Sequence, residues 1–462
     1  MPTHKQLAEA SVAAELSGLS LRQNFAWTLT GNVVYAMCQW AMVIALAKWT
    51  NASMIGQFAL GLAIATPVLM FANLQLRAVQ AVDTERRYAF GDYLGLRTLT
   101  TLAGVALITL AAWVTGSHLA AKLVILAVGA AKAIESISDV FFGLFQLNNR
   151  LDQIGKSMVT KGVVSLLALS ATLYVTRNVL WGVIALALGW LAVLILFDIP
   201  RGVRFLSASR TGQSVYQAFA GRWLAARPHY QLDQQSRLIR LAFPLGVVMT
   251  LISVNMNIPR YFVHSHAGEK SLGIYSTMAY IMVAVVTIAD AMGNSATPRL
   301  SRLYAAGELS RFVSLVLKLL GLGLIFGVAG VLVAYLVGPQ LLAFLYGPEY
   351  AAHAHVFVWI MVAAGIGAIA SLLTYCITAA KCFRPQVPMF ALVVSCNFIA
   401  CSILVPASGL TGAAVASVIS SLTHTIVAAG VLGYLVLGPS SGSRDSAPVP
   451  GYDDDSTMKV RA

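Results

Sequence analysis

Apolar residues run along this chain in about a dozen stretches of membrane length, each closed by a short polar gap. A helix of roughly 20 apolar residues crosses the hydrocarbon core of a bilayer, and lipid offers no partners to exposed backbone groups. The pattern therefore predicts helices and no sheet. The first six spans fall at approximately 23 to 47, 53 to 76, 94 to 115, 119 to 145, 158 to 176 and 179 to 199. The second six fall at approximately 239 to 262, 271 to 293, 312 to 337, 355 to 379, 386 to 405 and 411 to 437.

Composition agrees: 58% of the 462 residues are hydrophobic and 11% are charged, more apolar matter than a soluble core absorbs. The net charge of +13 could suggest a nucleic-acid partner, but the basic residues are not gathered on polar helices or between stacking aromatics. They collect in alternate gaps between spans. Arg77, Arg86, Arg87 and Arg97 follow the second span, Arg150, Lys156 and Lys161 the fourth, and Arg299, Arg302, Arg311 and Lys318 the eighth. The exceptions are Lys48, Lys122, Arg177, Arg260 and Lys270 near the opposite face, and Lys132 inside the fourth span. By the positive-inside rule the loaded side is cytoplasmic, which places both termini inside and makes the span count even.

The longest break, 201–238, carries Arg210, Arg222, Arg227 and Arg237 beside Trp223 and reads as a basic cytoplasmic linker. It divides the chain into a cytoplasmic N-terminal segment (1–22), a first lobe (23–200), the linker, a second lobe (239–437) and a polar tail (438–462) that reads as disordered. Residues 1 to 20 mix Lys5, Glu9 and Glu15 without an apolar core, so no cleavable signal is expected. Cys38, Cys376, Cys382, Cys396 and Cys401 lack metal-ligand spacing and read as packing residues. His264 with His266, and His353 with His355, want for further ligands, and no metal site or other cofactor is expected.

The two lobes look alike. Span two opens with Ile55-Gly56-Gln57-Phe58 and span eight with Leu272-Gly273-Ile274-Tyr275, and the same offset carries Asn73 onto Asp290 and Arg77 onto Asn294. Two halves with the same direction form a parallel repeat about an axis along the membrane normal, a transporter architecture with its substrate site between repeats. The expected fold is thus an all-α integral membrane protein of 12 transmembrane helices, in two six-helix lobes related by a parallel pseudo-two-fold around a central cavity.

Several stretches resemble one family. They are Gly56-Gln57-Phe58-Ala59-Leu60, Leu272-Gly273-Ile274-Tyr275-Ser276, Pro298-Arg299-Leu300-Ser301-Arg302-Leu303-Tyr304, Leu345-Tyr346-Gly347-Pro348-Glu349-Tyr350-Ala351 and Gly409-Leu410-Thr411-Gly412-Ala413-Ala414. In order and placement they resemble the Wzx-type polysaccharide, or O-antigen, flippases of the multidrug/oligosaccharidyl-lipid/polysaccharide exporter superfamily. The resemblance spans roughly residues 20 to 437. It implies a flippase moving polyprenyl-pyrophosphate-linked oligosaccharide from the cytoplasmic to the periplasmic leaflet of the bacterial inner membrane, for O-antigen, lipopolysaccharide or exopolysaccharide synthesis. It further implies membrane lipids, a polysaccharide polymerase and chain-length proteins as partners. The family has no short catalytic signature, so the site residues rest on physical grounds.

A charged head group needs a polar cavity open sideways, and intramembrane ionisable residues mark where to look, since a lone charge at the bilayer centre costs about 3 kcal/mol. Lys132, Glu135 and Asp139 share one face of span four with Gln146. That face is either a cavity wall, with Lys132 on pyrophosphate and the carboxylates on sugar or a coupling cation, or an internal ion pair packing the helix. Span one carries Asn24, Thr28, Asn32, Tyr35 and Gln39 as a hydrogen-bonding stripe for sugar hydroxyls or for helix packing. Span seven offers Asn257 and Arg260, the latter either a bidentate phosphate partner or a snorkelling anchor. Arg77 adds positive charge. Asp139 and Asp290 are the candidates for coupling to a proton or sodium gradient, although Asp290 could instead pair with Arg299. Pro67, Pro244 and Pro259 allow helix bending.

Two other functions compete. A cation-coupled multidrug exporter of the same superfamily should have a net acidic cavity, which Lys132 and Arg260 oppose. A membrane polymerase or glycosyltransferase usually needs a large extracytoplasmic loop, and the longest predicted here is roughly 338 to 354. The chain is therefore read as a transporter, not an enzyme.

Overall fold

A computed structural model describes residues 20–115, 118–208, 227–382 and 385–437. Among them every regular element is helical. The predicted N-terminal segment and tail lie almost wholly outside these residues, as do Arg210, Arg222 and Trp223 of the linker.

The helices of the first half are α1 (Leu21–Trp49), α2 (Ala52–Asn73), α3 (Leu76–Val82), α4 (Phe90–Val114), α5 (Leu119–Leu147), α6 (Leu151–Thr176), α7 (Val179–Val193) and α8 (Ile199–Ala208). Side chains stop the frayed ends. The Ser20 hydroxyl and the Gln23 side chain form a capping box on α1, and Asn51 and Asn178 accept from Met54 N–H and Leu180 N–H at the starts of α2 and α7. Between α2 and α3, Leu74 and Gln75 both adopt left-handed backbone. That bend turns α3 so that Arg77 comes against α5.

The second half contains α9 (Leu232–Ala305), α10 (Leu309–Leu345), α11 (Pro348–Ala351), α12 (Ala354–Ala379) and α13 (Gln386–Leu437). Two of these are hairpins rather than rods. At a rise of about 1.5 Å per residue, Ile252 and Met292 would stand about 60 Å apart in a continuous helix. Instead both pack in one apolar cluster, because Gly268 (φ 77°) reverses the chain. Gly409 (φ 57°) does the same in α13, where the rings of Phe390 and His424 come within 5.1 Å. These turns fill the gaps predicted at 262 to 271 and 405 to 411 with almost no loop.

Nine helices among the described residues are long and apolar enough to cross a membrane, each hairpin counted as one. Helix α5, equally long, stands apart from these by its internal charges. The segment read as a linker is partly structured: helix runs on to Ala208, and beyond 226 the chain docks on the first half. There His229 N–H donates to the Gly91 carbonyl at 2.8 Å, and Gln235 donates to the His229 carbonyl at 2.8 Å.

Three residues assigned to the basic gaps are in fact interior, one of them Arg150, whose side chain is 7% exposed and lies 2.8 Å from Asp152. Arg97 has no exposed side-chain surface and pairs with Asp139, and Lys161, 4% exposed, lies 3.0 Å from the wholly buried Asp198. A π-turn over Leu194–Asp198 joins α7 to α8, and its extra residue per turn aims Asp198 inward, where the Ser157 hydroxyl donates to it at 2.6 Å.

Candidate functional site

The two halves meet most closely where the repeated motif predicted a relationship. A Cβ on Gly56 would overlap the carbonyl oxygen of Glu269, and one on Gly273 would overlap that of Ala52. The glycine of each repeat thus faces the other repeat across one crossing of α2 with the second arm of α9. Glu269 closes this seam: Ser53 Oγ donates to its carboxylate at 3.1 Å and Gln57 Nε2 at 3.0 Å, and His118 lies at 3.3 Å. From there α2 runs antiparallel to the first arm of α9, with Tyr261 donating to the Ala63 carbonyl and Gly246 against Leu74. Trp40 Nε1 to the Tyr346 hydroxyl (3.1 Å) and Lys48 Nζ to the Phe344 carbonyl (3.0 Å) tie α1 to the C-terminal end of α10.

Behind the seam lies a cavity of about 880 Å³ between the halves. From the first half Tyr35, Gln39, Lys132, Glu135 and Trp190 line it, and from the second Tyr280, Thr287 and Phe344. Val33 and Met37 of α1, and Val283 and Ile288 of the second arm of α9, line it and are exposed, so the cavity is open and partly walled by apolar helix faces.

The face of α5 divides: Lys132 and Glu135 line the cavity, whereas Asp139 and Gln146 do not. Lys132 Nζ is 2.7 Å from Glu135 Oε2, and the Tyr35 hydroxyl donates to Glu135 Oε1 at 3.1 Å. The pair is internal, yet it forms the cavity wall, and the Lys132 ammonium stands 5.6 Å from the centre of the Trp190 ring. Lys132 and Glu135 thus form a partly exposed ion pair on the cavity wall.

The remaining candidates divide. Asn32 is exposed on α1 but is not among the lining residues, and Asn24 belongs to packing: it donates to the Asn149 carbonyl (3.0 Å) and accepts from Leu151 N–H (3.2 Å). Asn24→Ala should lower thermal stability by about 1–3 kcal/mol, measurable as an earlier melting transition, because it removes two hydrogen bonds that tie α1 to the chain between α5 and α6 while leaving the cavity untouched. Arg260 donates to Asn257 Oδ1 at 2.7 Å with its Nε buried, and it turns inward instead of snorkelling. Neither it nor Asn257 lines the cavity. Arg77 and Asp139 pair with each other at 3.4 Å beside Gln146, which accepts from Arg77 Nε at 3.3 Å. Asp290 accepts from the Ser371 hydroxyl at 2.8 Å instead of pairing with Arg299.

Sequence reasoning missed Trp190, Tyr280 and Glu269. An aromatic or a lone carboxylate at a span end carries no sign of which neighbour it meets. Only the repeated glycine hinted at the seam that Glu269 closes.

The arrangement matches known transporters. The structure of the lipid II flippase MurJ in an inward closed conformation superposes with a TM-score of 0.68 at 12% identity, over 89% of each chain. The inward-facing conformation of a multidrug resistance MATE family transporter of the MOP superfamily gives 0.59 at 12% identity, covering 92% of this chain and 97% of that one. The chain has the MOP transporter fold. As such it is a multi-pass membrane protein, and the parallel two-lobed arrangement expected from the repeat is that of this fold. In sequence, the capsular polysaccharide biosynthesis protein CapF of Staphylococcus aureus is 23% identical over 408 residues, covering 87% of this chain and 97% of that protein. No family model matches the chain.

Proposed function

We propose that this MOP-fold protein flips polyprenyl-pyrophosphate-linked oligosaccharide across the bacterial inner membrane, for synthesis of a surface polysaccharide. The observation that carries it is the cavity between the halves, which has Lys132, paired with Glu135, on its wall within a mostly apolar and aromatic lining. A charged head group and its sugars sit in the cavity while the polyprenyl tail stays in lipid beside Val33, Met37, Val283 and Ile288. CapF, named for capsular polysaccharide biosynthesis, and MurJ, named a lipid II flippase, support this substrate class. The MATE likeness fits drug export as well, but a drug exporter for organic cations wants unpaired negative charge, and Glu135 is already matched by Lys132.

In this reading the chain makes twelve crossings with both termini cytoplasmic, as the basic gaps suggest. Lys132 takes the pyrophosphate, and Tyr35, Gln39 and Tyr280 meet the sugars. Asp290, held only by neutral partners, is a better site for a coupling proton or sodium ion than Asp139, which is held by two arginines.

The test is lipid analysis of both leaflets in a deletion strain carrying the wild-type gene or Lys132→Met. The deletion should trap the lipid-linked glycan on the cytoplasmic side, and Lys132→Met should slow its appearance outside by about tenfold with normal membrane insertion. Delivery at the normal rate in the deletion strain overturns the proposal.

A further inference from the structure

One charge cluster lies off the cavity lining. Asp139 is clasped by two guanidinium groups, Arg77 Nη1 at 3.4 Å and Arg97 Nη2 at 3.0 Å. The Arg97 side chain is wholly buried, and its Nε and Nη1 have no hydrogen-bond partner among the described residues. Arg77 is different: its side chain is 35% exposed, rests 5.5 Å from the centre of the Phe142 ring and is steered by Gln146. Two cations and one carboxylate leave an excess positive charge, partly open to the outside through Arg77 and Asp139.

A buried guanidinium with idle donors is an unfavourable arrangement unless a group with several anionic oxygens completes it. A diphosphate is such a group, because its oxygens accept from two guanidinium forks at once, whereas a single carboxylate satisfies neither fully. The cluster also lies on the same face of α5 as Lys132. Seven residues of helix separate Asp139 from Lys132, about 10 Å along the axis, toward the end of α5 where Arg77 and Gln146 sit.

We propose that Arg77 and Arg97 form an anion site for the diphosphate of a membrane-anchored isoprenoid, with Asp139 as the resident counter-ion that the diphosphate displaces. The site lies one step outside the cavity, so the head group occupies it before passing to Lys132. That order rests on the flippase reading; the binding itself does not.

The experiment uses the full chain in phosphatidylcholine nanodiscs, in a Lys132→Met background that silences the cavity, with farnesyl diphosphate as the titrated probe. Arg77→Gln should weaken binding about tenfold. Asp139→Asn should strengthen it severalfold, an inversion of sign that a merely structural carboxylate would not produce. Inorganic pyrophosphate should compete, and replacing some phosphatidylcholine with phosphatidylglycerol should not. Binding unchanged in both variants, or weakened by Asp139→Asn, overturns the site. Displacement by phosphatidylglycerol overturns the isoprenoid assignment in favour of a headgroup site. Binding that responds to both variants, combined with normal glycan delivery in the deletion strain, supports the site and overturns the flippase reading.

Discussion

Gly56→Ala and Gly273→Ala will each abolish most transport while leaving each half folded. In either variant the new methyl group meets a backbone carbonyl of the opposite half, and no side-chain rotation relieves it. Overpacking of this kind costs about 1–3 kcal/mol when neighbours can shift. Here the neighbour that must shift is an entire half, so the strain falls on the seam and weakens the contacts of Glu269 with Ser53, Gln57 and His118. A cysteine at position 53, in a protein with its five native cysteines replaced, should become reactive to an impermeant thiol reagent in both variants. If it stays protected and transport persists, the seam does not control access.

The second large effect is on stability. Lys161→Met leaves the carboxylate of Asp198 buried without its cation, the Ser157 hydroxyl still donating to it, and removing one member of such a pair typically costs about 3–5 kcal/mol. The double variant Lys161→Met with Asp198→Leu removes both charges and should recover most of that loss, since desolvation of the pair offsets much of its attraction. Thermal unfolding in detergent measures both. A double variant no more stable than the single would show that the pair holds the π-turn by geometry rather than by charge.

Much of the fold is legible in the sequence because the membrane imposes it. The apolar runs match helices closely, and turns at Gly268 and Gly409 fall where hydropathy dips. Lys132 and Glu135 could be singled out because charge in the middle of an apolar run demands a reason. Arg97 and Lys161 carry the same demand, but they lie within a turn or so of a span end, where a basic residue ordinarily faces water. Their carboxylate partners are on other helices, and a single sequence does not say which helix faces which.

The polar stripe of α1 shows the same limit. Its spacing is helical throughout, yet Asn24 packs against the chain between α5 and α6, whereas Tyr35 and Gln39 face the cavity. Periodicity assigns residues to one side of a helix. It does not say that successive turns of that side have the same neighbour. The repeated glycine was informative for the opposite reason, since two helices related by a repeat can meet near its axis, and such a crossing leaves no room for a side chain.

The mutual pairing of Lys132 and Glu135 has an electrical consequence. On the flippase reading, the empty cavity would return across the membrane with this pair contributing no net charge, so the voltage would not oppose that step through these residues. A diphosphate-linked cargo moving outward carries its negative charge down an inside-negative potential, worth about 2.3 kcal/mol per charge at 100 mV. On that reading voltage would add to any ion coupling at Asp290 in biasing the cycle toward export, with the strongest pull on the most highly charged glycan.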